Sequence, residues 1–259
     1  MTKRSVLERL PGDQRQLLAH AWDKAEQAER DWRIAYSYFL DPGQRSLIHQ
    51  YSYLWSAGLA SFGGYPGAER EIIAFLPDDC APVANDYPLL ALQVTGNFQF
   101  AKLAHRDYLG SLLALGIKRE FLGDILVRPT GGQVMVHQSV ADYLLCNWSS
   151  IGSAAIQVEV LDLTRVEPPQ RQRQVRTATV ASLRLDAVVA AAYQLSRSEA
   201  AALIRGGKLK LNFLPEQRVD RVVEEGAILS LAGQGRAELI EVGGVSRKGR
   251  IHIQVARWR

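Results

Sequence analysis

Polar residues alternate with apolar ones close to the C-terminal end of the chain. Lys208, Lys210 and Asn212 are separated by Leu209 and Leu211, a spacing that predicts a β-strand with one polar and one buried face. Ammonium groups repeated along an exposed strand face can neutralise phosphates of a polyanion. Lysines on a strand taken at random are more often only solvated, so the surrounding residues decide between these interpretations.

Two predicted helices precede this strand. Ser196 and Glu199 have the spacing of a capping box, which predicts a helix that begins at Arg197. The glycines at 206–207 predict its end. An apolar stripe over residues 185–192 predicts the preceding helix. Short connections would hold both helices and the strand together as one compact basic surface.

The charge of the chain is concentrated in the same region. The 259 residues have a net charge of +4, but residues 164–259 contain 17 basic and 9 acidic side chains, a balance of +8. Residues 1–163 are acidic, with a balance of −4. Hydrophobic residues at 47% and charged residues at 22% exclude a disordered, collagen-like or coiled-coil chain. The excess of cations in the last third favours a polyanionic partner there.

This region resembles the S-four-type RNA-binding domain, which is named after a ribosomal protein. The resemblance is carried by RLD at 184–186, SRSEA at 196–200, LIRGGKLKLN at 203–212 and EGAIL at 225–229. It implies that the helix pair and the following loop and strand bind structured RNA. Residue by residue, it implicates Arg184, Ser196, Arg197, Ser198, Arg205, Lys208, Lys210 and Asn212. The chain departs from the family at Leu214, where Asn-Gly is common, so we expect the turn to be rebuilt around Pro215.

The rest of the chain predicts an α+β fold with further regions. Residues 1–68 predict an N-terminal helical region, with helices over 13–38 and 44–61. Residues 69–163 predict a ferredoxin/RRM-like split βαβ domain, with both helices on one sheet face and the other face free for a ligand. Its central strands, 89–95 and 133–137, lack the aromatic residues with which an ordinary RRM stacks bases.

Residues 164–181 predict a linker before the S-four-like domain, which we place at 182–259. Pro168 and Pro169 exclude a helix or central strand at that point. The basic, glutamine-rich segment that follows, 170–176, predicts a solvated linker or an edge strand.

Nearly the whole chain, from about residue 30 onward, is similar to the YlmH family. The matching motifs are FLDP at 39–42, FGGYPGAER at 62–70, YLGSLLALGIKRE at 108–120 and GDI at 123–125. The cyanobacterial and plastid branch of this family is labelled photosystem II S-four domain protein. The resemblance implies an RNA-binding protein of the translation apparatus that acts on the large ribosomal subunit with a stalled peptidyl-tRNA. Members are associated with ribosome rescue and quality control, and some with cell division or photosystem assembly.

Other cations could extend an RNA footprint. The family resemblance suggests four in the middle domain: Arg70, Lys118, Arg119 and Arg128. Arg247, Lys248 and Arg250 form a basic hairpin turn, which could equally be solvated charge.

Enzymatic motifs are weak. His105-Arg106-Asp107 is similar to a kinase catalytic loop, but neither a Gly-rich phosphate loop nor a downstream Asp-Phe-Gly accompanies it. The histidines lack HxxxH or HExxH spacing, and Cys80 and Cys146 lack CxxC spacing, so we expect no metal or cofactor. The prediction is a non-catalytic protein that binds rRNA or tRNA. The alternative is an RNA-modifying enzyme with Asp107, Asp124 or Asp142 as its acid.

The expected setting follows from the same features. The N-terminus is charged within its first residues, and the longest uncharged stretch is interrupted by glycine and proline, so we predict neither a signal peptide nor a membrane span. We expect a monomer in the bacterial cytosol, or in the plastid stroma if the source is a plant or alga.

Overall fold

The computed structural model describes residues 3–77, 81–98, 103–169, 173–246 and 249–258. Cys80 and two residues of the predicted basic turn, Arg247 and Lys248, therefore lie outside the described residues. The chain forms two compact units, Met1–Pro169 and Gln170–Arg259. No helix among the described residues is long and apolar enough to cross a membrane.

The elements of the first unit follow in chain order. They are α1 (Lys3–Leu7), α2 (Gly12–Asp31), β1 (Ala35–Leu40), α3 (Pro42–Gln50), β2 (Gly58–Phe62), β3 (Glu71–Leu76), β4 (Leu89–Gly96), α4 (His105–Ala114), β5 (Leu122–Arg128), β6 (Gly131–His137), α5 (Gln138–Asn147), β7 (Ser150–Ile151) and β8 (Ala154–Leu161).

The N-terminal region is not purely helical as predicted, because it contains a sheet with strand order β1-β3-β2. Helix α2 ends at Asp31, and the residue that caps it, Trp32, takes a left-handed φ of 51°. A register shift in β1 between Tyr36 and Phe39 breaks the alternation of this strand, so Ala35 and Leu40 lie in one core and Phe39 lies in another. The shift removes the period of two that identifies a strand, which is why the sequence pattern misplaces it.

The boundary predicted at residues 68/69 is also wrong. Strand β3 (Glu71–Leu76), assigned above to the middle domain, pairs with both β1 and β2. It is the central strand of the N-terminal sheet, and Ile72, Ile73 and Phe75 on it are fully buried.

The middle part of the first unit confirms the split βαβ prediction. Its sheet has strand order β5-β6-β4-β8-β7, so β4 and β6 lie in the interior of the sheet as expected. They pair antiparallel from Leu89 opposite His137 to Thr95 opposite Gly131. Helices α4 and α5 pack on one face, where Tyr108, Leu112 and Leu144 contribute to the core.

The opposite face of this sheet is not free for a ligand, contrary to the prediction. It forms a second core in which Met135 of β6 packs together with Phe39 and Ile72 of the N-terminal sheet. Gly123 makes this close approach possible, since a Cβ there would lie 2.7 Å from both Met135 and Phe39. Long-range packing of this kind leaves no local sequence pattern. The face that an RRM offers to single-stranded RNA is therefore buried in this unit.

The elements of the second unit also follow in chain order. They are β9 (Arg173–Val180), α6 (Leu185–Tyr193), α7 (Arg197–Arg205), β10 (Leu209–Leu211), β11 (Leu214–Pro215), β12 (Ile228–Leu231), β13 (Gly235–Val245) and β14 (Ile251–Trp258). They form a sheet with strand order β11-β10-β12-β13-β14-β9, against which α6 packs.

Strand β9 occupies much of the segment 164–181 that was predicted to be a linker. The sequence allowed either a solvated linker or an edge strand there, and the structure has the edge strand. It pairs with β14 along its whole length, from Arg173 opposite Trp258 to Val180 opposite Ile251. Val180 is buried in the core of the second unit. At the other end of the predicted linker, Val166 is buried in the first unit.

Candidate nucleic-acid interface

A buried carboxylate joins the starts of the two helices of the second unit. Asp186 lies in the first turn of α6 and is only 7% exposed. Its Oδ2 accepts a hydrogen bond of 2.7 Å from Nη2 of Arg197, the first residue of α7. Its Oδ1 lies 3.4 Å from Nε of Arg184, which precedes α6. Both guanidinium groups remain about half exposed, so Asp186 holds two arginines at the surface in fixed positions.

The ionisation of Asp186 follows from this arrangement. Burial alone would raise the pKa of this carboxyl group. The hydrogen bond and charge of Arg197, with the charge of Arg184, outweigh burial and hold the pKa below its ordinary value. Asp186 is therefore a carboxylate at neutral pH, and it neutralises only part of the charge of its two partners.

The predicted capping box at the start of α7 is confirmed. The hydroxyl oxygen of Ser196 accepts from the backbone N–H of Glu199 at 3.2 Å, and Glu199 accepts from the backbone N–H of Ser196 at 2.8 Å. The hydroxyl of Ser198 lies 3.0 Å from that of Ser196. The hydrogen bonds from Ser196 lower the pKa of Glu199. Both predicted serines therefore serve the cap, and through it they set the position of Arg197.

The end of α7 leads directly to the two lysines. Arg205 lies in its last turn, and Gly207 reverses the chain with a left-handed φ of 69°. Lys208 and Lys210 are exposed on either side of Leu209, which is fully buried. The alternation predicted from the sequence is thus present at this strand, with both lysines on the outward face.

Asn212 lies in a turn and not on the strand face. Asn212 and Phe213 both have positive φ, 47° and 67°, and they connect β10 to β11 as a two-residue hairpin loop. Its Oδ1 accepts from the backbone N–H of Ile228 at 2.8 Å. The turn is therefore not built around Pro215, which instead pairs with Lys210. Asparagine tolerates the left-handed conformation better than most residues, which explains how the chain turns without glycine.

A segment that the sequence did not single out borders the arginine pair. Helix α6 has no capping side chain, and its first N–H groups donate to the backbone of residues 219–221: Leu185 to Arg221 at 2.8 Å and Asp186 to Val219 at 3.1 Å. Arg221 lies in this segment and Arg218 directly precedes it; both are exposed, and Arg218 lies 3.9 Å from the carboxylate of Asp220. The N–H groups at the start of an uncapped helix need acceptors from elsewhere in the chain. The missing capping residue before α6 is therefore the sequence signal that could have indicated a segment packed against this helix start.

The same segment also reaches the other end of the helix pair. A Cβ on Gly207 would lie 3.3 Å from the side chain of Gln217, so residue 217 borders the turn that follows α7. Residues 217–221 thus run from the lysine strand to the start of α6. The cations grouped around this segment are Arg184, Arg197, Arg205, Lys208, Lys210, Arg218 and Arg221; we call them the basic cluster. The basic cluster can contact several phosphates of one polyanion.

Two of the arginines predicted in the middle domain have structural roles. Arg70 donates from Nε to the Leu122 carbonyl and from Nη2 to the Phe39 carbonyl, both at 2.8 Å. Arg119 donates from Nη1 to the carbonyls of Leu122 and Gly123. Burial lowers the pKa of Arg70 to about 10 and also lowers that of Arg119. Their donors bind backbone within the unit, so we do not retain them as RNA contacts.

The remaining cations differ from one another. Arg128 donates to the carbonyl of Glu167 and lies 3.7 Å from its carboxylate, so it too is tied within the unit. Arg250 donates to the Thr179 carbonyl at 2.6 Å and thereby fastens the turn before β14 to β9. Lys118 is exposed.

Two of the aspartates considered as catalytic acids anchor structure. Asp124 accepts from the Tyr65 hydroxyl at 2.6 Å and from the N–H groups of Glu69 and Arg70. Asp107 caps α4 by accepting from the N–H of Ala104 at 2.7 Å. Asp142 is exposed on α5. Among the described residues, no group of three or more His, Cys, Asp or Glu side chains could hold a metal ion.

Comparison with known proteins adds independent information. A family model described as "YlmH, N-terminal" matches residues 13–80, and one described as "Putative RNA-binding domain in YlmH" matches residues 82–165. The "Ribosome-associated protein quality control protein P2" of Bacillus subtilis (strain 168) is 31% identical over 245 residues, which are 95% of each chain. The solved structure "Cell division protein ylmH from Streptococcus pneumoniae" is 22% identical with a TM-score of 0.53. It covers 61% of this chain and 98% of its own, and it supports the α+β fold. The chain belongs to the YlmH family.

Proposed function

We propose that this chain is a non-catalytic RNA-binding protein that acts at the ribosome. The family model that names an RNA-binding domain matches residues 82–165, in the first unit, and the Bacillus relative is named for ribosome-associated quality control. We extend this to structured rRNA or tRNA on the large ribosomal subunit, bound through the S-four-like second unit in the cytoplasm. The observation that carries the proposal is the pair of exposed arginines held on the buried Asp186.

Physical chemistry supports a phosphate ligand for this arrangement. A guanidinium group binds phosphate through two parallel hydrogen bonds, and its affinity benefits when its orientation is fixed beforehand. Arg184 and Arg197 share one carboxylate and keep about half of their surfaces exposed. The lysines of the basic cluster add positive charge, and an ammonium group can bind a phosphate in many orientations. Together these cations suit the backbone of a folded RNA, whose phosphates occupy fixed positions.

The alternative of an RNA-modifying enzyme has less support. Asp124 and Asp107 accept hydrogen bonds from backbone N–H groups, so their carboxylate oxygens are already used to hold the local structure. Asp142 is an exposed residue on a helix surface. We therefore propose that the first unit positions or extends the RNA contact and does not carry out chemistry.

The test is a comparison of two double variants in RNA binding. Arg197→Ala with Lys208→Ala removes two members of the basic cluster, and we expect the slope of log affinity against log salt to fall by about 1.4–1.8. Arg33→Ala with Arg106→Ala removes the same charge from exposed sites in the first unit and serves as the control. Equal affinities and slopes for both doubles, measured by gel shift with 23S rRNA fragments and tRNA, would refute the proposal.

The identity of the RNA requires a second measurement. Crosslinking of the intact protein to RNA in cells, followed by sequencing, separates ribosomal RNA, tRNA and messenger targets. Enrichment of large-subunit rRNA or tRNA is expected. Enrichment of messenger RNA alone would contradict the ribosomal part of the proposal.

A further inference from the structure

A broad cleft lies in the first unit, away from the basic cluster in sequence. Its volume is about 1060 Å³, at the upper limit for small-ligand pockets. Helix α2 forms one wall with Leu17, His20 and Lys24. Strand β1 forms the other, and Lys118 and His137 complete the lining. No residue of the basic cluster lines this cleft.

A half-exposed aromatic group lies in the cleft wall. The ring of Tyr38 packs edge-to-face against Phe121, with centroids 4.8 Å apart, and against His137 at 5.2 Å. These contacts fix the orientation of the Tyr38 ring, yet 47% of the residue is exposed. The next residue on the strand, Phe39, is 1% exposed and belongs to the core between the two sheets. Tyr38 is thus a rigid aromatic surface that the core does not use.

The charged groups of the cleft restrict the ligand. Asp23 is paired with Lys3 at 2.8 Å, and Asp41 caps α3 through the N–H of Gln44. Arg70 and Arg119 are bound to backbone carbonyls, as described above. Lys24 is half-buried and donates to Gln27 at 3.2 Å. Among the lining residues that the structure describes, the charged side chains that remain exposed and have no partner named above are Asp13, Lys118 and Glu120, so Lys118 is the cation available to a ligand.

We propose that this cleft binds one unstacked base of single-stranded RNA, with the base on the ring of Tyr38 and an adjoining phosphate at Lys118. Lys118 directly precedes the turn Arg119–Phe121, which supplies the Phe121 ring of the aromatic group. The lining of this cleft thus holds a fixed aromatic ring and an exposed lysine, the two kinds of group with which proteins bind unpaired nucleotides. The base must be unpaired, since a duplex presents no free base face to a ring in a cleft.

This inference shares only the class of ligand with the proposed function, and it concerns a separate site. Its failure would leave the basic cluster and the structured-RNA proposal unaffected. Two probes separate the sites: a fluorescein-labelled hexamer of adenylate for the cleft, and a tRNA for the basic cluster.

The experiment measures anisotropy of the labelled hexamer with the intact protein. We expect Tyr38→Ser to weaken binding by about 5- to 150-fold, the effect of losing one base–aromatic stack. Tyr38→Phe should restore binding, and Lys118→Ala should weaken it without any packing change. Tyr143→Ser is the matched control, because Tyr143 is also 47% exposed but lies on α5 outside the cleft lining.

The outcomes are distinct. Hexamer binding that is lost in Tyr38→Ser and Lys118→Ala, while tRNA affinity is retained, supports the cleft site. Hexamer binding that is unaffected by both variants, or absent from the wild type, overturns it. Hexamer binding that is lost only in Arg197→Ala with Lys208→Ala also overturns it, since the basic cluster would then hold the hexamer. Circular dichroism confirms that Tyr38→Ser is folded, and Lys118→Ala provides the test if it is not.

Discussion

Asp186 and Arg197 form a 2.7 Å ion pair across the turn that separates helices α6 and α7. The carboxylate is almost fully buried and the guanidinium is about half exposed. A buried acid normally costs stability, and here it remains ionised because Arg197 and Arg184 share it. The pair therefore fixes the angle at which Arg197 leaves the surface.

The variant Asp186→Asn distinguishes the effect of arginine positioning on RNA binding from the effect of net charge. The substitution makes the protein more positive by one unit, so net charge alone predicts tighter RNA binding. Positioning predicts the opposite, and we expect the Kd for tRNA to rise about tenfold, a loss of ~1.4 kcal/mol. The measurement is a filter-binding titration at fixed salt, with circular dichroism to confirm the fold. Unchanged or tighter binding would mean that Asp186 does not position the arginines for RNA.

Arg218 and Arg221 provide a second prediction about the basic cluster. Replacing both with alanine should lower the salt slope of RNA binding by about 1.4–1.8, because two phosphate contacts are lost. The backbone of residues 219–221 should still accept the hydrogen bonds from α6, so melting should change little. Gel shifts over a range of salt concentrations measure the slope. A slope equal to that of the wild type would remove these residues from the interface.

The sequence predicted the helix pair and the lysine strand well because their signals are local. The capping box from Ser196 to Glu199 and the alternation around Leu209 depend only on neighbouring residues. Strand β1 is missed because its register shift breaks the period of two that identifies a strand. The covered face of the middle sheet was missed because the partner, Phe39, is far away in sequence.

The sequence also predicts only the part of the candidate site that has local signals. The strand pattern predicts the outward face of Lys208 and Lys210, and the resemblance to the S-four-type domain implicates Arg197. Arg218 and Arg221 were missed because only the fold brings them to the start of α6, more than 30 residues earlier in the chain. Arg70 and Arg119 were predicted as RNA contacts, since a sequence does not reveal that a guanidinium is used on backbone carbonyls.

The contact between the two sheets of the first unit predicts that one glycine on it cannot be replaced by a larger residue without loss of stability. A Cβ at Gly123 would lie 2.7 Å from Met135 and Phe39, so Gly123→Ala overpacks the core and should cost about 1–3 kcal/mol. A Cβ at Gly110 in α4 would meet no atom within 4 Å, so Gly110→Ala should be neutral or stabilising. Urea unfolding measures both. Equal stability of the two variants would contradict the tight packing described for these sheets.

The stability of the first unit should fall as the pH is lowered from 7.5 to 5.5. Burial lowers the pKa of His137, whose Nδ1 accepts from the N–H of Ser139 at the start of α5. The unfolded chain then binds more protons than the folded one below pH 6.5, so stability is complete above that pH and declines below it, by at most about 1.4 kcal/mol per pH unit for one histidine. His49, whose pKa burial also lowers, adds to the decline.

His137→Asn tests the assignment, because an asparagine oxygen can still cap α5 but does not titrate. We expect this variant to lose less stability than the wild type between pH 7.5 and 5.5. Urea unfolding followed by tryptophan fluorescence is suitable, since four of the five tryptophans lie in the first unit: Trp22, Trp32, Trp55 and Trp148. Carboxyl groups with lowered pKa titrate below this window and should not contribute. An equal decline in both proteins would show that His137 is not the group whose protonation opposes folding.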